Sequence, residues 1–125
     1  MGGTVVPGAG SRNEEWKGRW GGREQQMRDG FFKAAAVVPA MTIADPESNA
    51  KEMIRCIREA AGNGAKLIVF PELGITGYTC SDLFRQDVLL NGAKKALKEI
   101  VAASKGMDGL FFVGLPLEVN GKLYN

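Results

Sequence analysis

The stretch VFPELGITGYTCSDLF, Val69 to Phe84, holds the residues of this chain best suited to chemistry. Glu72 ends an apolar run just after Pro71, and Gly74, Gly77 and Tyr78 follow before polarity returns. Glutamate is rarely buried without a partner or a task. Proline holds φ at about −65° and glycines let the backbone turn sharply, so the carboxylate is presented from a rigid frame into a loop. Such a group suits a general base, because burial raises a carboxylate's pKa toward neutrality. A glutamate that merely orders its own loop, as a cap-like acceptor or an ion-pair partner, leaves the same trace.

The chain contains no histidine, which removes Ser-His and Cys-His pairs and imidazole metal ligands from its own repertoire. Its two cysteines, Cys56 and Cys80, read as free thiols outside any metal-ligand spacing. Cys80 lies close to Glu72 in sequence and reads as a loop thiol; Cys56 falls inside a helix as a small packing group. The 16 basic and 14 acidic side chains are interspersed, so no face advertises nucleic acid or anionic lipid. No run approaches the roughly 18 apolar residues of a membrane span, and no secretory pattern opens the chain, so the expectation is a cytoplasmic protein with neither nucleic-acid nor membrane partner.

The elements that must position Glu72 follow from short apolar runs and their breakers. FFKAAAVV, Phe31 to Val38, stops at Pro39 and reads as a buried strand. Asp45 and Pro46 supply an N-cap and a first helical residue, Met53, Ile54, Ile57 and Ala61 recur at helical spacing, and Gly62 or Gly64 closes the helix. KLIVF, Lys66 to Phe70, and GLFFVGLPL, Gly109 to Leu117, read as further strands. Apolar runs without alternation predict strands covered on both faces of a mainly parallel sheet. Between them, Asp87 to Ser104 predicts a crossover helix with Val88, Leu89, Ala93, Leu97, Ile100 and Val101 inward and Lys94, Lys95 and Lys98 outward. Ser81 to Phe84 forms a turn before it, with Asp82 as N-cap and Phe84 as an apolar plug. Asn120-Gly121 predicts a type I′ hairpin turn. The fold class is thus α/β.

Residues 1–30, rich in Gly, Arg, Glu and Gln, read as disordered or as a misassigned extension, with Met27 as an alternative start. A hairpin arm that stops after three or four residues gains little and leaves an open edge, so residues 31–125 read as the N-terminal part of a longer domain.

The wording FPELGITGYTCSDLF resembles the first motif of the carbon–nitrogen hydrolase, or nitrilase, superfamily. With FFKAAAVVP before it and GLPLEVNGKLYN after it, the stretch from Phe31 to Asn125 is similar to the glutaminase domain of glutamine-dependent NAD synthetases. PEL followed by TGY is common to many amidases; TCSDLF and GLPL with GKLYN are more particular to the synthetase type. The resemblance implies an α-β-β-α sandwich of which this chain supplies the first strands and two helices. It implies a Glu-Lys-Cys triad with Glu72 as the base, the lysine and cysteine nucleophile lying beyond Asn125, and Tyr78 near the glutamine substrate; a phenol packed over the loop is the alternative for Tyr78. It further implies a C-terminal synthetase domain that uses ATP and Mg²⁺ to amidate nicotinic acid adenine dinucleotide, a homo-oligomer at full length, and no cofactor within these residues.

Two other readings stay open: a stand-alone nitrilase-type amidase acting on a free small amide, and a non-catalytic α/β interaction module whose Glu72 loop is structural. A nucleotide-binding module is less well supported, because no Gly-rich phosphate loop opens either helix. With one triad member of three, the isolated chain is expected to be inactive and, with apolar sheet surface uncovered, poorly soluble.

Overall fold

The computed structural model describes residues 3–7 and 30–125. Most of the expected N-terminal extension, residues 1–30, lies outside the described residues. Within it, Gly3–Pro7 form strand β1, an element the sequence does not announce.

The main sheet is parallel, with β1 beside β2 (Lys33–Val38), then β3 (Ala65–Val69), then β4 (Leu110–Phe112). Helix α1 (Pro46–Gly62) links β2 to β3, and α2 (Asp87–Ala103) links β3 to β4. Asp45 caps α1 as its side chain accepts the Ser48 amide at 3.1 Å, with Pro46 opening the first turn. The helix runs to Gly62, is capped by Asn63, and turns out through Gly64 at φ +84°.

Apart from Lys33 and Lys66, strands β2 to β4 are apolar, but among the described residues they are not covered on both faces. Ala35, Val37 and Ile68 join Met53, Cys56 and Ile57 of α1 and Ala93, Ala96 and Ile100 of α2 in one core. On the opposite face Val38, Val69, Leu110 and Phe112 are all more than two-fifths exposed. The cause is topological. Strand order β2-β3-β4 advances in one direction, and right-handed crossovers then place both connecting helices on the same side.

Helix α2 turns the expected face inward at Leu89, Ala93, Leu97 and Ile100, but its two edge positions differ from the expectation. Leu89, Leu90, Ala93, Ala96 and Ile100 are buried, whereas Val88 is 83% and Val101 53% exposed. The 3₁₀ turn Ser81–Arg85 precedes it, and the cap position is Gln86, without a side-chain bond. Asp82 therefore does not cap α2; it is exposed within the turn, and Asp87 brings the acidic charge to the first helical turn.

The run from Gly109 to Leu117 is not one strand. It leaves the sheet after Phe112, passes Gly114 and Pro116, and enters a separate antiparallel hairpin of β5 (Leu117–Val119) and β6 (Lys122–Tyr124). Val119 pairs with Lys122, and Asn120 and Gly121 have φ of 51° and 72°, the type I′ turn that the dipeptide predicts.

Candidate active site at the end of β3

Glu72 stands three residues beyond β3, at the C-terminal edge of the parallel sheet, where ligand crevices of open α/β sheets lie. The loop that carries it is built by non-local bonds. Phe70 N–H donates to Phe112 O at 3.0 Å and Ile75 N–H to Gly114 O at 3.2 Å, so both sides of the loop are tied to the end of β4 and the residues just after it. Asn49, 1% exposed on α1, donates from Nδ2 to Ile75 O at 2.9 Å and to Thr42 O at 2.8 Å, while its Oδ1 accepts Thr42 N–H at 2.7 Å. One buried amide thus fixes the Glu72 loop and the loop after β2 to the helix.

Within the loop, Leu73 O accepts the amides of Thr76 at 3.1 Å and Gly77 at 2.8 Å. Leu73 itself adopts φ 52°, a left-handed conformation that non-glycine residues seldom take and that concentrates at functional sites. Of the two glycines, Gly77 supplies positive φ, at 85°. Gly74 serves close packing instead, since a Cβ there would lie 2.9 Å from Met53 Cε and 3.0 Å from Pro71 O.

Glu72 is exposed, so the described residues do not form the dry crevice expected around it. It faces an open cleft that it lines with Leu73, Tyr78, Thr79, Ser81 and Phe84. No ion pair among the described residues involves it. Its Oε1 accepts a hydrogen bond from Asn125 Nδ2. Tyr78 is 68% exposed and stands on the cleft; it is not packed over the loop. Phe84, half-buried, closes one side of the same cleft rather than only plugging the helix start.

The thiols lie elsewhere. Cys80 is buried beneath the loop, its Sγ 3.1 Å from Thr76 O and 3.4 Å from Gly77 O, and it does not line the cleft. Cys56 is 1% exposed in α1, and burial pushes its thiol up to about 11, which suits packing and not nucleophilic attack. Lys95 and Lys98 are exposed on α2, and Lys94 is half-buried there. Glu72 and Tyr78 line the same cleft, and Asn125, which the sequence does not single out, stands beside Glu72. The available signal is the Asn-Gly turn: its two-residue loop fixes Tyr124 opposite Leu117 and so fixes where the next residue falls.

A parallel sheet with crossover helices and a carboxylate-bearing loop at its C-terminal edge defines a mixed α/β protein. The carbon–nitrogen hydrolase profile matches residues 33–125, and the chain belongs to that family. Among curated proteins it is 34% identical over 96 residues to the glutamine-dependent NAD(+) synthetase of Mycobacterium leprae and 38% identical over 96 residues to that of Mycobacterium tuberculosis, covering 77% of this chain in each case. The crystal structure of a glutamine-dependent NAD(+) synthetase from Cytophaga hutchinsonii superposes with a TM-score of 0.62 at 36% identity over 68% of this chain. The chain spans 14% of the length of each of these relatives.

Proposed function

We propose that this chain is the opening part of a glutaminase domain that feeds ammonia to an NAD synthetase, with Glu72 as general base and Tyr78 at the glutamine. The observation that carries the reading is the position of Glu72: it sits on a cleft at the sheet's C-terminal edge, on a loop tied to three other segments. The two mycobacterial synthetases named above are 34% and 38% identical to this chain over 96 residues, and they are glutamine-dependent by name.

In this chemistry the base takes the proton of a cysteine thiol, and the thiolate adds to the carboxamide carbon of glutamine. The tetrahedral oxyanion is stabilised by a lysine. Collapse breaks the carbon–nitrogen bond as the protonated Glu72 gives its proton to the leaving nitrogen, releasing ammonia and leaving a thioester. Glu72 then deprotonates water, which cleaves the thioester to glutamate and restores the thiol. Of the three groups, the cleft described here holds the carboxylate; the lysine and cysteine belong to sequence beyond Asn125 in this reading.

The exposed sheet face of Val38, Val69, Leu110 and Phe112 fits the same proposal, as the surface on which the second sheet of an α-β-β-α sandwich packs. ATP and Mg²⁺ would serve a synthetase domain outside these residues, where nicotinic acid adenine dinucleotide is amidated. No group of three or more potential metal ligands occurs among the described residues, and no step is assigned to a metal here. Likewise, no helix among them is long and apolar enough to cross a membrane. A cytoplasmic location and a homo-oligomeric full-length enzyme belong to the proposal.

The test is product analysis on the intact gene product. Glutamine, ATP and nicotinic acid adenine dinucleotide are expected to give NAD and glutamate in equal amounts. Hydrolysis of simple aliphatic amides with no NAD formed would instead identify a stand-alone amidase.

A further inference from the structure

Glu72 has one contact that the proton transfers above leave unexplained, the hydrogen bond from the amide of Asn125, 53 residues away in sequence. The geometry points to Asn125 as a positioning residue for the Glu72 carboxylate, delivered by the β5–β6 hairpin. This inference rests on the proposed role of Glu72 as the base.

An exposed glutamate is a poor base unless it is held, because its terminal torsion is broad and proton transfer needs hydrogen-bond reach. A donor on Oε1 fixes the plane of the carboxylate and leaves Oε2 free for the thiol proton. The chemical type of the donor matters too. A lysine or arginine there would stabilise the ionised carboxylate strongly and weaken it as a base, whereas a neutral amide does so less. An amide also keeps a good acceptor after Glu72 is protonated on Oε2, since Oε1 is then a carbonyl oxygen. The side chain can take up and release the proton without turning.

The hairpin is suited to the delivery. Its type I′ turn at Asn120-Gly121 fixes Val119 against Lys122 and Leu117 against Tyr124, which leaves Asn125 one residue past the last pair. Its first strand follows the buried Pro116 and Gly114, whose carbonyl accepts the Ile75 amide of the Glu72 loop. Base loop and hairpin are therefore one hydrogen-bonded unit.

The experiment measures glutamine hydrolysis by the intact gene product carrying Asn125→Leu, near the size of asparagine and without the donor, or Asn125→Ala, beside wild type and Glu72→Gln. Loss of a hydrogen bond to a charged group predicts a kcat lower by about ten- to a hundredfold with KM within about twofold, at an unchanged melting temperature. Wild-type kcat in both Asn125 variants, with Glu72→Gln inactive, overturns the inference and leaves the base assignment standing. An active Glu72→Gln overturns the base assignment itself, and the inference with it. A second readout needs no variant at position 125: the Asn125 side-chain amide resonances should follow the titration of the Glu72 carboxylate and lose that response in Glu72→Gln. A response that is flat in wild type overturns the inference.

Discussion

Glu72 owes its place to residues outside its own segment, and one of them, Gly114, serves by having no side chain. A Cβ on Gly114 would lie 2.6 Å from Leu73 N and 3.2 Å from Glu72 Cα, both backbone atoms of the base loop. Gly114→Ala must therefore push the loop aside, with an overpacking cost of about 1–3 kcal/mol by denaturant unfolding and loss of glutamine hydrolysis in the intact gene product. Wild-type stability and activity in that variant would show that the approach is not tight. This requirement was not legible in the sequence. Gly114 sits in an apolar run that reads as strand, and nothing local says that its neighbour is the backbone 42 positions earlier at Glu72. The carboxylate itself was legible, because a charged residue following Pro71 at the end of an apolar run is a local signal. Its exposure was not, since burial depends on what covers a loop and not on what precedes it.

At the scale of elements, features set by adjacent residues are legible in the sequence and those set by distant packing are not. Asp45-Pro46 marks the start of α1 and Asn120-Gly121 the hairpin turn, because capping and φ preference act within a few residues. The inward face of α2 is legible at Leu89, Ala93, Leu97 and Ile100, whereas Val88 and Val101 at its edges are exposed and Leu90 and Ala96 are buried instead. Hydrogen bonds from Ser48, first its hydroxyl and then its backbone amide, hold the Asp45 carboxyl below the usual carboxylate range. A carboxyl lowered in the folded state contributes stability above its unfolded pKa and loses it as pH falls through the folded one. Asp45→Ala is thus expected to lower the melting temperature at neutral pH, with the difference from wild type shrinking under acid; a gap that is constant with pH would contradict the cap. Asn49 makes a stronger demand. Asn49→Leu leaves the Thr42 amide and the Ile75 carbonyl without their partner, and a cost of about 1–3 kcal/mol in denaturant unfolding is expected.

For the whole molecule, apolar strands suggested coverage on both faces, and the described residues cover one. The sequence carried the apolarity correctly, but the side on which each helix packs follows from strand order, which composition does not encode. The open face predicts behaviour for the 125-residue polypeptide made alone: it should self-associate and bind a hydrophobic dye, and Leu110→Lys with Phe112→Lys should suppress both while helical content is kept. A monodisperse wild-type monomer that leaves the dye dark would contradict this. The central claim, that Glu72 is the base of a glutaminase that supplies a synthetase, is tested most directly by comparing nitrogen donors in the intact gene product. Glu72→Gln should abolish NAD formation when glutamine is the donor and leave it at the wild-type rate when free ammonium is supplied. Unchanged glutamine-dependent formation in that variant would contradict the account.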